Sequence, residues 1–171
     1  KLESDARTLA ENIGYLTPVS HEDPSQTYLN ENFYKNHSSS AFAIVYRDKI
    51  FLISAGHVFS GGKPANNIVA WFGEKRMPLP NKPETSEVLD LAAIDVTNVY
   101  GNPEGAGKFK VVTDDLIKEK TPLILVCNKY SFAVSVRTGF YNGIDEGKGG
   151  FKRSYLKLNF PGIGAQSGCS G

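Results

Sequence analysis

The sequence predicts an all-β protein, and three observations carry that prediction. Short apolar runs recur along the chain, several alternating with period two, as strands half-buried in a sheet do. Turn-forming residues separate the runs, drawn from 17 Gly and 9 Pro in 171 residues. Aromatic residues that favour strands are frequent, with 10 Phe and 8 Tyr, while helical patterning is confined to short stretches. Short strands between turns fit a β-sandwich or a β-barrel.

The elements follow in order. Ser4 or Asp5 caps a short helix through Arg7 and Asn12, and Ile13 to Val19 is extended. Residues 20–40 are polar, broken by Pro24, and read as loop. Ala41 to Tyr46 and Ile50 to Ala55 are strands joined by the turn Arg47-Asp48-Lys49, which makes a hairpin. Ile68 to Phe72 follows a Gly61-Gly62 turn, and Leu89 to Val96 is a further strand. Gly101 to Lys108 is the best internal boundary. Beyond it lie a short helix candidate at Asp114 to Glu119 and strands at Pro122 to Cys127, Phe132 to Thr138 and Ser154 to Phe160. Gly143 to Gly150 is a glycine-rich turn. Its spacing is one residue short of a phosphate loop and no Ser or Thr follows Lys148.

Charge excludes one class of function. Nineteen Lys and Arg face eighteen Asp and Glu, so the net charge of +1 gives no basic excess for nucleic acid. The hydrophobic share of 40% suits a packed core, and no apolar run is long enough to span a membrane. Cys127 and Cys169 are too few for a disulfide framework, and with the histidines they show no zinc-ligand spacing.

Three places carry chemistry. His21 and His37 lie in polar, loop-like sequence and read as exposed side chains. His57 directly follows a strand, in Ile53-Ser54-Ala55-Gly56-His57, where small residues let the backbone pack closely. Its ordinary pKa near neutrality suits proton transfer. Asp90 and Asp95 are acids in an apolar strand, which costs several kcal/mol (about 3–5) unless they are paired or face solvent. The end of the chain, Gly162 to Gly171, sets Ser167 and Ser170 among glycines. A glycine before a serine lets a backbone N–H turn toward an oxyanion, and one after it leaves room for a carbonyl.

Taken together, His, Asp and Ser in this order resemble the trypsin/chymotrypsin-like serine proteases. Ser54-Ala55-Gly56-His57-Val58 resembles the family's small-small-His segment, and Asp90-Leu91-Ala92-Ala93-Ile94 its Asp-apolar-Ala-apolar-apolar segment, which selects Asp90 over Asp95. Leu123 to Asn128 with Val134 to Gly139 is similar to the strands opening the second barrel of Deg-type bacterial members. Gly168-Cys169-Ser170-Gly171 matches the family's Gly-x-Ser-Gly. Ala165-Gln166-Ser167-Gly168 matches it apart from Ala165, although the spacing from the strand at Leu156 to Phe160 suits Ser167 better. Ser170 is the first candidate nucleophile and Ser167 the alternative.

The resemblance implies two antiparallel six-stranded β-barrels. Residues 1–40 would be an N-terminal extension, 41–104 the first barrel and 105–171 the second, without its C-terminal strands. It implies a serine endopeptidase with His57 as base, Asp90 as its orienting acid and Ser170 or Ser167 as nucleophile. The oxyanion hole would use the N–H of the serine and of Gly168, or Ala165 in the alternative. A protein or peptide is the implied substrate, with no metal, cofactor or nucleic acid, and a secreted or cell-envelope location is favoured. Six residues before the two serines stand Gly164 and Pro161, so no preference for Lys or Arg is indicated. A catalytically inactive relative used for protein binding is the alternative function.

Overall fold

The computed structural model describes residues 10–18, 39–59, 68–73, 75–80, 82–107, 109, 118–128, 134–146 and 154–159. Among these residues ten strands form two antiparallel sheets. The first sheet contains β1 (Ile13–Pro18), β2 (Ser39–Tyr46), β3 (Lys49–Ala55), β4 (Ile68–Phe72), β5 (Lys75–Pro78), β6 (Glu84–Ser86) and β7 (Leu91–Asp95), in the order β5-β4-β1-β2-β3-β7-β6. The second contains β8 (Pro122–Asn128), β9 (Val134–Glu146) and β10 (Ser154–Asn159), with β9 in the middle. Among the described residues neither sheet closes on itself, and no helix is long and apolar enough to cross a membrane.

The β2–β3 hairpin forms where the sequence places it. Arg47 and Asp48 both adopt positive φ (48° and 61°), the two-residue turn whose twist matches that of its strands. Burial alternates along β3, with Ile50, Leu52 and Ser54 pointing inward. The core under this sheet joins Leu16, Leu52, Ile68, Ile94 and Val96 to the small residues Ala41, Ala43, Ala70 and Ala92. A short helix, α1 (Pro103–Ala106), starts at the cap Asn102, whose side chain accepts the Gly105 N–H at 3.1 Å.

Several expectations change. The extended stretch from Ile13 lies in the sheet between β2 and β4, so the segment read as preceding the first barrel supplies a central strand. Gly14 permits this, because a Cβ there would sit 2.6 Å from the Trp71 carbonyl oxygen. The polar strands β5 and β6 have no apolar run to announce them, and α1 occupies the stretch read as a boundary. β9 is one strand of 13 residues, so Gly143 continues it instead of opening a turn. Asp90 is not within a strand; it closes the turn before β7. Residues 114–117 of the second helix candidate lie outside the described residues, and Lys118 begins a turn whose carbonyl accepts from Thr121.

The two sheets meet through a small apolar cluster. Ile13 of β1 and Val126 of β8 are buried together, with Phe42 and Phe109 packed against them. The Phe42 and Phe109 rings lie 5.7 Å apart.

Candidate active site

β3 ends at Ala55, and the chain turns at once into a single 3-10 turn, Gly56–Val58. The turn is anchored from beyond. The Phe59 N–H donates to the Gly56 carbonyl at 3.0 Å, Phe59 is buried and Val58 packs on the core. His57, between Gly56 and Val58, is left facing outward, and its side chain is 54% exposed.

Asp90 reaches this turn from the neighbouring chain segment. The β3–β7 ladder runs from Phe51↔Asp95 to Ala55↔Leu91. One further rung extends it, the Gly56 N–H donating to the Asp90 carbonyl at 2.8 Å. Asp90 adopts φ 49°, a left-handed conformation that Asp tolerates better than most residues. With the backbone turned this way its carboxylate meets the next residue of the other strand. Oδ1 accepts the His57 backbone N–H at 2.8 Å, and Oδ2 lies 2.8 Å from His57 Nδ1. Gly56 makes the approach possible, since a Cβ on it would stand 3.0 Å from Leu91 N and 3.1 Å from Asp90 C.

The chemistry of the pair follows from these contacts. An ionised carboxylate only accepts hydrogen bonds, so Nδ1 carries the proton and the neutral ring keeps its basic lone pair on Nε2. The second bond, to the His57 backbone, prevents the carboxylate from rotating away. Asp90 is 43% exposed, so solvent screens the pair and its attraction adds little to stability. Its consequence is orientation.

Asp95, the other acid of the same apolar stretch, stands at the far end of β7. Its Oδ2 accepts from Lys49 Nζ at 2.8 Å, and its Oδ1 accepts from the Thr97 hydroxyl at 2.6 Å and the Thr97 N–H at 3.1 Å. The Lys49 bond, then those from Thr97, hold its carboxyl down to about 2. The two acids are therefore separated by a strand's length, and His57 stands with Asp90.

Ser167, Ser170, Gly168 and Ala165 lie outside the described residues, as do His21, His37 and Cys169. One buried group escapes the sequence reading. Ser54, treated there only as small, is 3% exposed and its hydroxyl is hydrogen-bonded inside the sheet. The available signal is a hydroxyl ending the apolar run Ile50-Phe51-Leu52-Ile53. Among the described residues no group of three or more His, Cys, Asp or Glu side chains is arranged to hold a metal ion.

No protein-family model matches the chain, and no curated protein matches its sequence. Solved structures do resemble it. The Rv3671c protease of M. tuberculosis H37Rv, in an inactive form, superposes with a TM-score of 0.65 at 10% identity, covering 97% of this chain and 73% of that one. Deg5 gives 0.61 at 12% identity, covering 99% of this chain and 79% of its own. A variant of the HtrA-type protease AlgW, solved with a tripeptide, gives 0.63 at 14% identity, and this chain spans 49% of its length. The likeness is one of fold: the chain has the all-β, trypsin-like fold of HtrA/Deg-type serine proteases.

Proposed function

We propose that the chain is a serine endopeptidase that cleaves peptide bonds through an acyl-enzyme. The observation that carries this reading is the His57–Asp90 pair, with Nδ1 and Oδ2 at 2.8 Å, on a fold like that of the Rv3671c and HtrA-type proteases. In the proposed reaction Nε2 of His57 takes the proton from the nucleophilic serine as its Oγ attacks the carbonyl carbon. The tetrahedral oxyanion is held by two backbone N–H groups, those of the serine and of the residue two before it. His57 then protonates the leaving amine, and afterwards takes a proton from the water that releases the acid. Asp90 holds the ring and stabilises the imidazolium that forms in each half-reaction.

Ser170 with Gly168 is the first assignment and Ser167 with Ala165 the second. A glycine at the oxyanion position supplies its N–H without the steric cost of a Cβ. The fuller architecture proposed is two six-stranded barrels, 41–104 belonging to the first and 105–171 contributing part of the second, with 1–40 leading into the first and lending it β1. The substrates are peptides or proteins.

A fluorophosphonate probe on the folded full-length protein tests the reading. Labelling is expected, lost in Ser170→Ala and in His57→Ala, and kept in Ser167→Ala. Loss in Ser167→Ala alone moves the nucleophile to that residue. Absence of labelling on both serines sinks the peptidase reading and leaves a binding module of the same fold.

A further inference from the structure

β2 and β3 pair closely from Tyr46↔Lys49 to Phe42↔Ile53, and their register ends there. Beyond that point β2 continues along β1, through Ala41↔Gly14 and Ser40↔Tyr15. Beyond the same point β3 continues along β7, through Ser54↔Ala92 and Ala55↔Leu91. The two strands part, one staying with β1 and the other leading to His57.

A hydroxyl occupies the parting. Ser54 Oγ donates to the Ser40 carbonyl at 2.8 Å, and Ser39 Oγ lies 3.5 Å from Ser54 Oγ. All three serines are buried, Ser40 at 1% and Ser54 at 3% exposure. Packing alone would put alanine at this place, because a buried hydroxyl is unfavourable without a partner. The hydrogen bond supplies what packing does not: a directional tie between strands whose ladder has ended.

The tie connects two parts of the site. β1 and β2 are the strands against which β8 of the second sheet packs, through Ile13, Phe42 and Val126. β3 and β7 carry His57 and Asp90. We propose that Ser54 is a positioning residue, which fixes the angle between the strands bearing His57–Asp90 and those bearing the second sheet. The inference rests on the peptidase reading, in which the second sheet's part of the chain supplies the serine. His57 is three residues beyond Ser54, at most about 10 Å along the chain, so a tilt of ~10° there displaces the imidazole by up to roughly 2 Å. A displacement of about 1 Å at reacting groups is enough to slow a reaction on the order of a hundredfold.

The test compares Ser54→Ala with Ser54→Thr in the full-length protein. Fluorophosphonate labelling and backbone amide spectra are read on protein whose circular dichroism shows it folded. Ser54→Ala is expected to slow labelling by about tenfold or more and to shift the amides of Gly56, His57 and Asp90. Ser54→Thr, which keeps the donor, restores both. A role in stability alone would lower the melting temperature and leave the labelling rate of the folded protein unchanged; that result, with unshifted amides, overturns the proposal. If wild-type protein is not labelled, the peptidase reading fails and the amide comparison decides the positioning role by itself. If Ser54→Ala does not fold, Ser54→Cys, similar in size but a weak donor, is compared with Ser54→Thr, and equal amide positions in the two overturn the proposal.

Discussion

Asp90 does three things at once: its carbonyl accepts from Gly56, one carboxylate oxygen from the His57 backbone and the other faces Nδ1. Asp90→Asn keeps the shape but leaves one acceptor oxygen where two are used. The amide nitrogen then faces either the backbone N–H or Nδ1, and facing Nδ1 it forces the proton to Nε2. Labelling by the fluorophosphonate probe should fall on the order of 10^3–10^4-fold while circular dichroism stays that of the folded protein. An unchanged rate would remove Asp90 from the proposed mechanism. Gly56→Ala acts on the same contact from the other side. Its Cβ meets backbone atoms at 3.0–3.1 Å, which cannot rotate away as a side chain would. A loss of about 1–3 kcal/mol in urea unfolding is expected, together with a shifted Asp90 amide resonance. The choice of Asp90 over Asp95 was legible only through the resemblance of its flanking sequence. Leu89-Asp90-Leu91 looks like strand because it alternates. Yet Leu89 is 70% exposed, and the left-handed φ of Asp90 turns that apolar pattern into a turn tip.

Strands announce themselves when burial gives them a pattern, and fail to when it does not. β3 reads directly from Ile50-Phe51-Leu52-Ile53, whereas β5 (Lys75–Pro78) and β6 (Glu84–Ser86) are edges of the sheet and carry charged or polar residues there. β1 was legible as extended, but its central place rests on what Gly14 leaves open beside Trp71, a contact 57 residues distant in the chain. The β2–β3 turn offers a stabilising change. Asp48 holds φ 61°, a conformation costing an ordinary L-residue ~1–2 kcal/mol, and less for Asp. Asp48→Gly relieves that cost and pays part of it back in unfolded-state entropy, so a net gain of about 0.5 kcal/mol in urea unfolding is expected. Arg47 is left in place because its guanidinium sits 5.3 Å from the Tyr46 ring centroid. The Lys49–Asp95 pair, across the first and last residues of β3 and β7, gives a pH dependence with a definite sign. An acid whose carboxyl is lowered from 3.8 to about 2 on folding stabilises the fold above its unfolded value, and that contribution is lost as pH falls toward 2. The stability difference between wild type and Asp95→Asn, measured by urea midpoints, should therefore be present at neutral pH and close through this acidic window. Added salt should reduce it, since Lys49 is exposed and Asp95 is only half-buried.

At the scale of the molecule, the first sheet owns a large core, and among the described residues the second touches it through a few side chains. Ile13, Val126, Phe42 and Phe109 form that contact, with Ile13 at 2% and Val126 at 5% exposure. None of this was visible in the sequence, where Val126 is one apolar residue among five in Leu123-Ile124-Leu125-Val126-Cys127 and nothing distinguishes it. Val126→Ala removes two methyl groups and should cost about 1.5–3 kcal/mol. Val126→Asp puts a carboxylate against two phenyl rings, which costs its desolvation. The first sheet still buries its own fifteen-residue cluster after this change, so it should remain folded. Hydrogen exchange is then expected to show β8, β9 and β10 losing protection while β2, β3 and β7 keep theirs. Equal loss in both sheets would mean that the molecule unfolds as a single unit and that the narrow contact does not divide it. The same variant bears on function. The candidate serines follow β10 in the chain, so undocking the second sheet should abolish probe labelling while the Gly56, His57 and Asp90 amides stay where they are in the wild type. Labelling that survives undocking would place the nucleophile on the first sheet's side, which the proposed reaction does not allow.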